Sequence, residues 1–176
     1  MIIRDYQKDD ALAVGLLIKK TYSEFNLDFL EKEQLPAYLG PFAFAGDGNL
    51  AHQQALQGVI WSQFVYLAEV DGTIAGVLRG RMGRLGSLFV AREYHHQGIA
   101  TSLVEHFEET VRREQGTVIR VASSLYAVPF YSKMGYKKST GVRNSWSFQG
   151  YGFPIQPMKK NISCIIPSIL VKETSL

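Results

Sequence analysis

The chain lacks most of the features that would place it in a specialised class. It has one cysteine, Cys164, which excludes an internal disulfide and a cysteine-rich metal site. No run approaches the ~20 apolar residues needed to span a bilayer. The opening residues, Met1-Ile2-Ile3-Arg4-Asp5, lack the basic stretch and apolar core of a secretory signal, so a cytoplasmic protein with no membrane contact is expected. Excess charge is also small: 19 Lys and Arg against 16 Asp and Glu leave +3, too modest and too scattered to argue for nucleic acid. Two phosphate-binding strings are missing. There is no Gly-x-x-x-x-Gly-Lys-Ser/Thr loop, and no set of three spaced glycines opening a βαβ unit. Internal repeats and low-complexity segments are absent as well.

What remains is ordinary in bulk and specific in two places. With 176 residues, 46% of them apolar and 20% charged, the chain suits one globular domain with a substantial core. The first specific place is Leu88-Phe89-Val90 followed by His95-His96-Gln97-Gly98-Ile99-Ala100-Thr101. An apolar β-type run stops, a polar turn with one glycine follows, and an amphipathic helix begins at once. That arrangement turns several backbone N–H groups toward one point at a helix N-terminus, where the dipole adds partial positive charge. The site suits a phosphate or pyrophosphate, and a grip made by backbone needs small residues at Gly98 and Ala100 more than it needs a particular charge.

The second place is Ser124-Leu125-Tyr126-Ala127-Val128-Pro129-Phe130-Tyr131-Ser132-Lys133-Met134-Gly135-Tyr136. Ser124 can cap a helix here, Pro129 is tolerated only near its first turn, and Gly135 suits the left-handed position that ends it.

Both stretches resemble signatures of the GNAT superfamily of N-acetyltransferases. The first resembles its coenzyme A pyrophosphate loop, Gln/Arg-x-x-Gly-x-Gly/Ala, with His95 in place of Gln or Arg. The second resembles Asn-x-x-Ala-x-x-Phe-Tyr-x-x-x-Gly-Phe/Tyr, with Ser124 in place of Asn. The resemblance covers Ile2 to Lys160. It implies an α/β fold with a mixed central sheet of about seven strands, flanked by helices and splayed between the fourth and fifth strands. A GNAT domain over 1–160 would then carry an apolar extension over 161–176.

The implied function is transfer of an acetyl group from acetyl-CoA, acting as co-substrate, to a primary amine by direct attack in a ternary complex. Leu88, Phe89 and Val90 would offer unpaired backbone groups to the pantetheine arm. His95, His96, Gln97, Gly98, Ile99, Ala100 and Thr101 would hold the pyrophosphate, while Ser124, Ala127 and Phe130 would contact the arm. Tyr131 is the expected catalytic acid, since a phenol with pKa near ~10 is protonated at neutral pH and can meet the departing thiolate. The remote Cys164 argues against an acetyl-cysteine intermediate. Adjacent histidines without a third ligand do not make His95-His96 a metal site, and no metal is expected.

The acceptor is not legible. A small-molecule or peptide amine is implied, with Tyr38, Phe42, Phe44 and Trp61 in or beside the segment that often lines the acceptor pocket in this fold. No base is assigned among Glu24, Glu69 and Glu93. Arg79, Arg81 and Arg84 read first as a solvated edge. A non-catalytic acyl-CoA-binding domain, an unrelated nucleotide-phosphate module, and transfer of a longer acyl group into a roomier pocket near Phe89 and Tyr126 all stay open. The tail, with Ile165, Ile166, Ile169, Leu170 and Val171, is expected to pack on the domain or to form a homodimer contact.

Periodicity supplies the elements. Ile2 to Arg4 reads as a strand, and Asp9 or Asp10 as the cap of a helix with Ala11, Val14, Leu17, Ile18, Thr21 and Phe25 along one face. Asn26 to Ser62 is broken, with helical pieces near 29–38 and 50–56. Phe64 to Val70 and Thr73 to Met82 form a hairpin about Asp71-Gly72. Arg84 to Val90 is a strand, Ile99 to Val111 a helix, Thr117 to Ala122 a strand. Tyr136 to Val142 and Ser145 to Ile155 are expected to close the sheet as an antiparallel pair.

Overall fold

The computed structural model describes residues 1–163. In chain order its elements are β1 (Ile2–Asp5), α1 (Ala11–Phe25), α2 (Leu35–Leu39), α3 (Leu50–Ile60), β2 (Phe64–Val70), β3 (Thr73–Arg81), β4 (Arg84–Val90), α4 (Ile99–Arg113), β5 (Val118–Ser124), α5 (Val128–Lys133), β6 (Lys137–Lys138), β7 (Arg143–Ser147) and β8 (Gly150–Asn161). The eight strands form one sheet in the order β1-β2-β3-β4-β5-β8-β6, with β7 also on β8. All neighbours are antiparallel except β4 and β5, which run parallel. The sheet is the α/β, mixed, splayed architecture expected, with eight strands where about seven were predicted.

Apolar periodicity places a helix layer on each face. The α4 stripe of Ile99, Leu103, Val104, Phe107 and Val111 is buried against β3 and β5 with Tyr131 and Tyr136. A Cβ on Gly80 of β3 would stand 2.6 Å from the Phe107 ring, so the glycine lets helix and strand meet. On the opposite face Val14, Leu17 and Ile18 of α1 pack with Leu56 and Ile60 of α3 over Val65, Leu67 and Val77. The β2–β3 hairpin turns through Asp71 and Gly72, both at positive φ, as a two-residue turn requires.

The parallel pair positions the site. β4 and β5 are in register only at Arg84↔Arg120 and Leu85↔Val121, and beyond those positions they separate. The gap is therefore closed at the Arg84 end and opens toward the N-terminus of α4.

Several local expectations change. Asp10 occupies the N-cap of α1, yet its carboxylate makes no cap; it accepts two bonds of 2.8 Å from the Arg4 guanidinium instead. The same carboxylate also accepts the Gln7 N–H at 2.8 Å, so it closes the turn that precedes α1 and not the helix itself. Ser124 does not cap α5. It ends β5, and Ala127 is the N-cap residue. Residues 136–142 give only the two-residue β6, and 145–155 is not one strand: β7 and β8 form a hairpin of their own through Phe148, which takes φ +53 without a glycine to announce it. In the broken segment 29–38 yields only the short α2, because Pro36 starts it and Gly40 ends it, while α3 runs on to Ile60 with Asn49 as its cap. Arg79 is not at a solvated edge. Its Nε donates to Ile60 O at 2.9 Å and its Nη2 to Val59 O, capping the C-terminus of α3. Cys164 and the apolar tail residues lie outside the described residues.

Candidate active site

The gap between β4 and β5 is one wall of a cavity of about 670 Å³ that reaches both faces of the sheet. Strand parity decides which groups it receives. Ala91 N–H donates to Ala75 O at 2.9 Å, so in the regular β3–β4 register Val77↔Phe89 is the next hydrogen-bonded pair. The N–H and C=O of Phe89 thus face β3, and those of Leu88 and Val90 face the gap. Unpaired strand groups away from water demand a partner. His95 satisfies one of them, its Nε2 lying 2.9 Å from Val90 O. A carbonyl only accepts, so Nε2 is the donor in this bond.

At the open end the chain turns through His96 (φ +60) and Gly98 (φ +81) into α4. The first intrahelical bond is Ser102 N–H to Gly98 O at 2.9 Å, which leaves the N–H groups of Ile99, Ala100 and Thr101 without helical acceptors. A Cβ built on Gly98 meets nothing within 4 Å, so the loop is open on the side where an anion would sit. His96, Gly98, Ile99, Ala100 and Thr101 all line the cavity. Gln97 does not: it is exposed, and its Nε2 donates back to Glu93 O at 3.0 Å.

Leu88 and Val90 side chains point to the α4 face, where Ile99, Ala127, Phe130 and Tyr131 complete the lining. Tyr131 is 4% exposed, wedged edge-on between Phe130 and Tyr136 at 5.1 and 5.4 Å between ring centres. Burial pushes its phenol well above the ordinary tyrosine range. Behind it, Lys160 Nζ reaches Glu108 Oε2 at 2.6 Å, tying α4 to β8.

The α1 face is lined by side chains. Tyr22 packs at 5.5 Å from Phe89 and 5.8 Å from Phe153 of β8. Phe25 lies 5.4 Å from Tyr126 and 4.9 Å from the His95 ring. Asn26 Nδ2 donates to Ser124 Oγ at 2.7 Å, bridging the end of α1 to the end of β5. Tyr22 is fixed by a relay: Ser147 Oγ donates to Tyr38 O at 2.8 Å, so the Tyr22 hydroxyl, 2.6 Å away, donates to Ser147. Ser87 also borders the cavity, with a buried hydroxyl that has no partner among the described residues.

Thus Leu88, Phe89, Val90, His95, His96, Gly98, Ile99, Ala100, Thr101, Ser124, Ala127, Phe130 and Tyr131 converge on one cavity, and Gln97 stands outside it. The residues named for the acceptor side behave differently. Phe42 is core, Trp61 and Phe44 are 75% and 47% exposed, and neither these nor Tyr38 lines the cavity. Glu24, Glu69 and Glu93 are paired with Arg92, Arg4 and Lys20 and also lie outside it. Sequence reasoning missed Tyr22, Asn26 and Ser87 and assigned Phe25 to a helix stripe. The available signal was the cluster Tyr22, Phe25, Asn26 at the end of α1, where a surface helix has no reason to place two aromatics.

The family model for the Acetyltransferase (GNAT) domain matches residues 45–162. No curated protein matches the chain. Among solved structures, a GCN5-related N-acetyltransferase from Rhodopseudomonas palustris is similar over 91% of this chain and 94% of its own, with TM-score 0.72 and 19% identity. The PaiA N-acetyltransferase of Thermoplasma acidophilum, solved in complex with coenzyme A, is similar over 91% of this chain and 98% of its own, with TM-score 0.66 and 17% identity. A ribosomal-protein-alanine N-acetyltransferase from Brucella melitensis is similar over 92% and 99%, with TM-score 0.59 and 16% identity. At these identities the structures establish a shared fold, and the family model, matching more than half of the sequence, establishes membership: the chain belongs to the GNAT acetyltransferase family.

Proposed function

We propose that this protein is a cytoplasmic N-acetyltransferase whose single domain spans 1–160 and moves an acetyl group from acetyl-CoA to a primary amine by direct attack in a ternary complex. One observation carries the reading: between β4 and β5 a gap holds the unpaired Leu88 C=O and Val90 N–H and ends on the bare N-terminus of α4, with a buried tyrosine along its side. The residues fit an extended amide arm that ends in a pyrophosphate. Leu88 C=O and Val90 N–H are spaced like one strand edge and pair an amide-bearing chain as an added strand. The N–H groups of Ile99, Ala100 and Thr101 hold the pyrophosphate, helped by the helix dipole. Ala127 and Phe130 give the arm an apolar wall, and Ser124, already held by Asn26, takes the place of the longer asparagine of the family pattern.

Bound acetyl-CoA supplies a thioester, whose acetyl carbon accepts the amine while sulfur departs. Tyr131 gives its phenolic proton to that sulfur and regains one from the acylated nitrogen through solvent. Burial raises the phenol and keeps it protonated at neutral pH, so a proton is in place when the sulfur departs. The test is thiol release from acetyl-CoA in the presence of amines. Amine-dependent release that falls in Tyr131→Phe supports the reading. Tight acetyl-CoA binding with no turnover of any amine, in wild type as in the variant, would leave a non-catalytic acyl-CoA-binding domain.

A further inference from the structure

Four aromatic rings, those of Tyr22, Phe25, Phe89 and Phe153, line the α1 side of the cavity. Tyr22, Phe89 and Phe153 meet at 5.5 and 5.8 Å with interplanar angles of 59° and 75°. Phe25 extends this wall toward the mouth and stacks on Tyr126. Aromatic pairs prefer tilted, edge-on and offset-stacked geometries, so a further ring in the cavity would find faces and edges suited to it.

Charge on this side has the opposite bias from what a polyamine would require. Among the described residues no Asp or Glu lines the cavity. Carboxylates of α1 and of the loop after β4 lie outside the lining and are paired, Glu24 with Arg92 at 3.0 Å and Glu93 with Lys20 at 3.7 Å. The Arg92 guanidinium itself stands 5.4 Å over the Phe25 ring at the mouth. A second or third ammonium group on the acceptor would lose its water here and find no counter-charge, which proteins rarely tolerate. A single amine is different. Ring faces favour one cation on approach, and apolar surroundings then lower its pKa, which releases the proton that must leave before attack.

We propose that the acceptor is an aromatic monoamine: one primary amine on a short linker from an aromatic ring, with the ring held by Tyr22, Phe25, Phe89 and Phe153. The proposal rests on the acetyltransferase reading. The aromatic body fills the α1 face, the amine points through the gap toward the thioester, and Tyr131 waits on the other face of the sheet.

The experiment is thiol release by the full chain at fixed acetyl-CoA with 2-phenylethylamine, tryptamine, spermidine and kanamycin. Acetyl-CoA binding is measured separately by calorimetry. The expected result is a kcat/KM for the aromatic monoamines at least tenfold above that for spermidine or kanamycin. Phe25→Ala, which alters a half-buried ring at the mouth, is expected to raise the KM for 2-phenylethylamine about tenfold and leave acetyl-CoA affinity unchanged. Phe25→Tyr, which keeps the ring, restores the KM. Equal or better turnover of the polycations overturns the acceptor class and leaves the acetyltransferase standing. Acetyl-CoA binding with turnover of neither aromatic amine also overturns the acceptor class, and it leaves the acetyltransferase standing only where another amine is turned over. Failure to bind acetyl-CoA overturns the acetyltransferase reading itself.

Discussion

The two faces of the cavity are built by different means. On the α4 face the working groups are backbone: the Leu88 and Val90 edge of β4 and the N–H groups at the start of α4, all contributed by residues 88–101. On the α1 face they are side chains brought together from residues 22, 25, 26, 126 and 153. A backbone site requires a strand that stops, a turn that takes positive φ and small residues beside it, and those demands fall on consecutive positions. A side-chain site requires only that rings of suitable size arrive from anywhere. The first leaves a readable string in the sequence and the second does not. On the proposed function, the first would bind the donor common to the family and the second the acceptor peculiar to this chain.

Substitutions at four positions test that division, from the largest effect to the smallest. Gly98→Asp places a carboxylate at the loop proposed to grip the pyrophosphate. Two like charges about 4 Å apart at an effective dielectric near 20 repel by about 4 kcal/mol, roughly a thousandfold in affinity. Calorimetry with acetyl-CoA is expected to show that loss. Gly98→Asn, isosteric and tolerant of positive φ, is expected to keep most of the affinity, which separates charge from strain. Comparable affinity in the two variants would remove the anion from that loop.

Tyr131→Phe is expected to lower kcat by about 10² to 10³ with acetyl-CoA affinity unchanged. Burial holds this phenol above its ordinary range. The donor therefore stays protonated as pH rises, and kcat in the wild type is expected to show no falling limb through about pH 10, the ordinary phenol value. A fall of kcat centred below pH 9 would contradict the assignment. Phe25→Ala comes third: about tenfold in the KM for an aromatic amine, with no change in acetyl-CoA binding. A variant that weakened both ligands equally would erase the distinction between the faces.

The smallest effect belongs to His95→Gln. The glutamine restores the family residue and still donates to Val90 O, so acetyl-CoA affinity is expected to change by less than about threefold. A large loss would mean that the imidazole, and not the backbone around it, makes the grip.

The same division explains what was legible. The β2–β3 hairpin, β4 and the buried stripe of α4 follow from period-2 and period-3.6 patterns that tertiary structure reinforces. Gly135 ends α5 at φ +87, as the left-handed stop requires. The β7–β8 hairpin was illegible because Phe148, a bulky residue at positive φ, gives no turn signal; its ring is held by Phe42 at 6.0 Å, a contact over a hundred positions away. Ser124 was read as a cap because its local sequence permits one, and its hydroxyl is taken by Asn26, a partner no local window contains. Arg79 looked like a surface charge until α3 brought its carbonyls to it. Tyr22 and Phe153 share the reason: their roles exist only after α1 and β8 meet across the gap.

Calorimetric titration with acetyl-CoA beside ADP tests the central claim most directly, because ADP carries the pyrophosphate and lacks the arm. If the gap between β4 and β5 receives the arm, acetyl-CoA binds with micromolar affinity and ADP at least a hundredfold more weakly. Equal affinities would mean that Leu88 and Val90 pair with nothing the ligand brings, and the gap would not be the acyl-donor site.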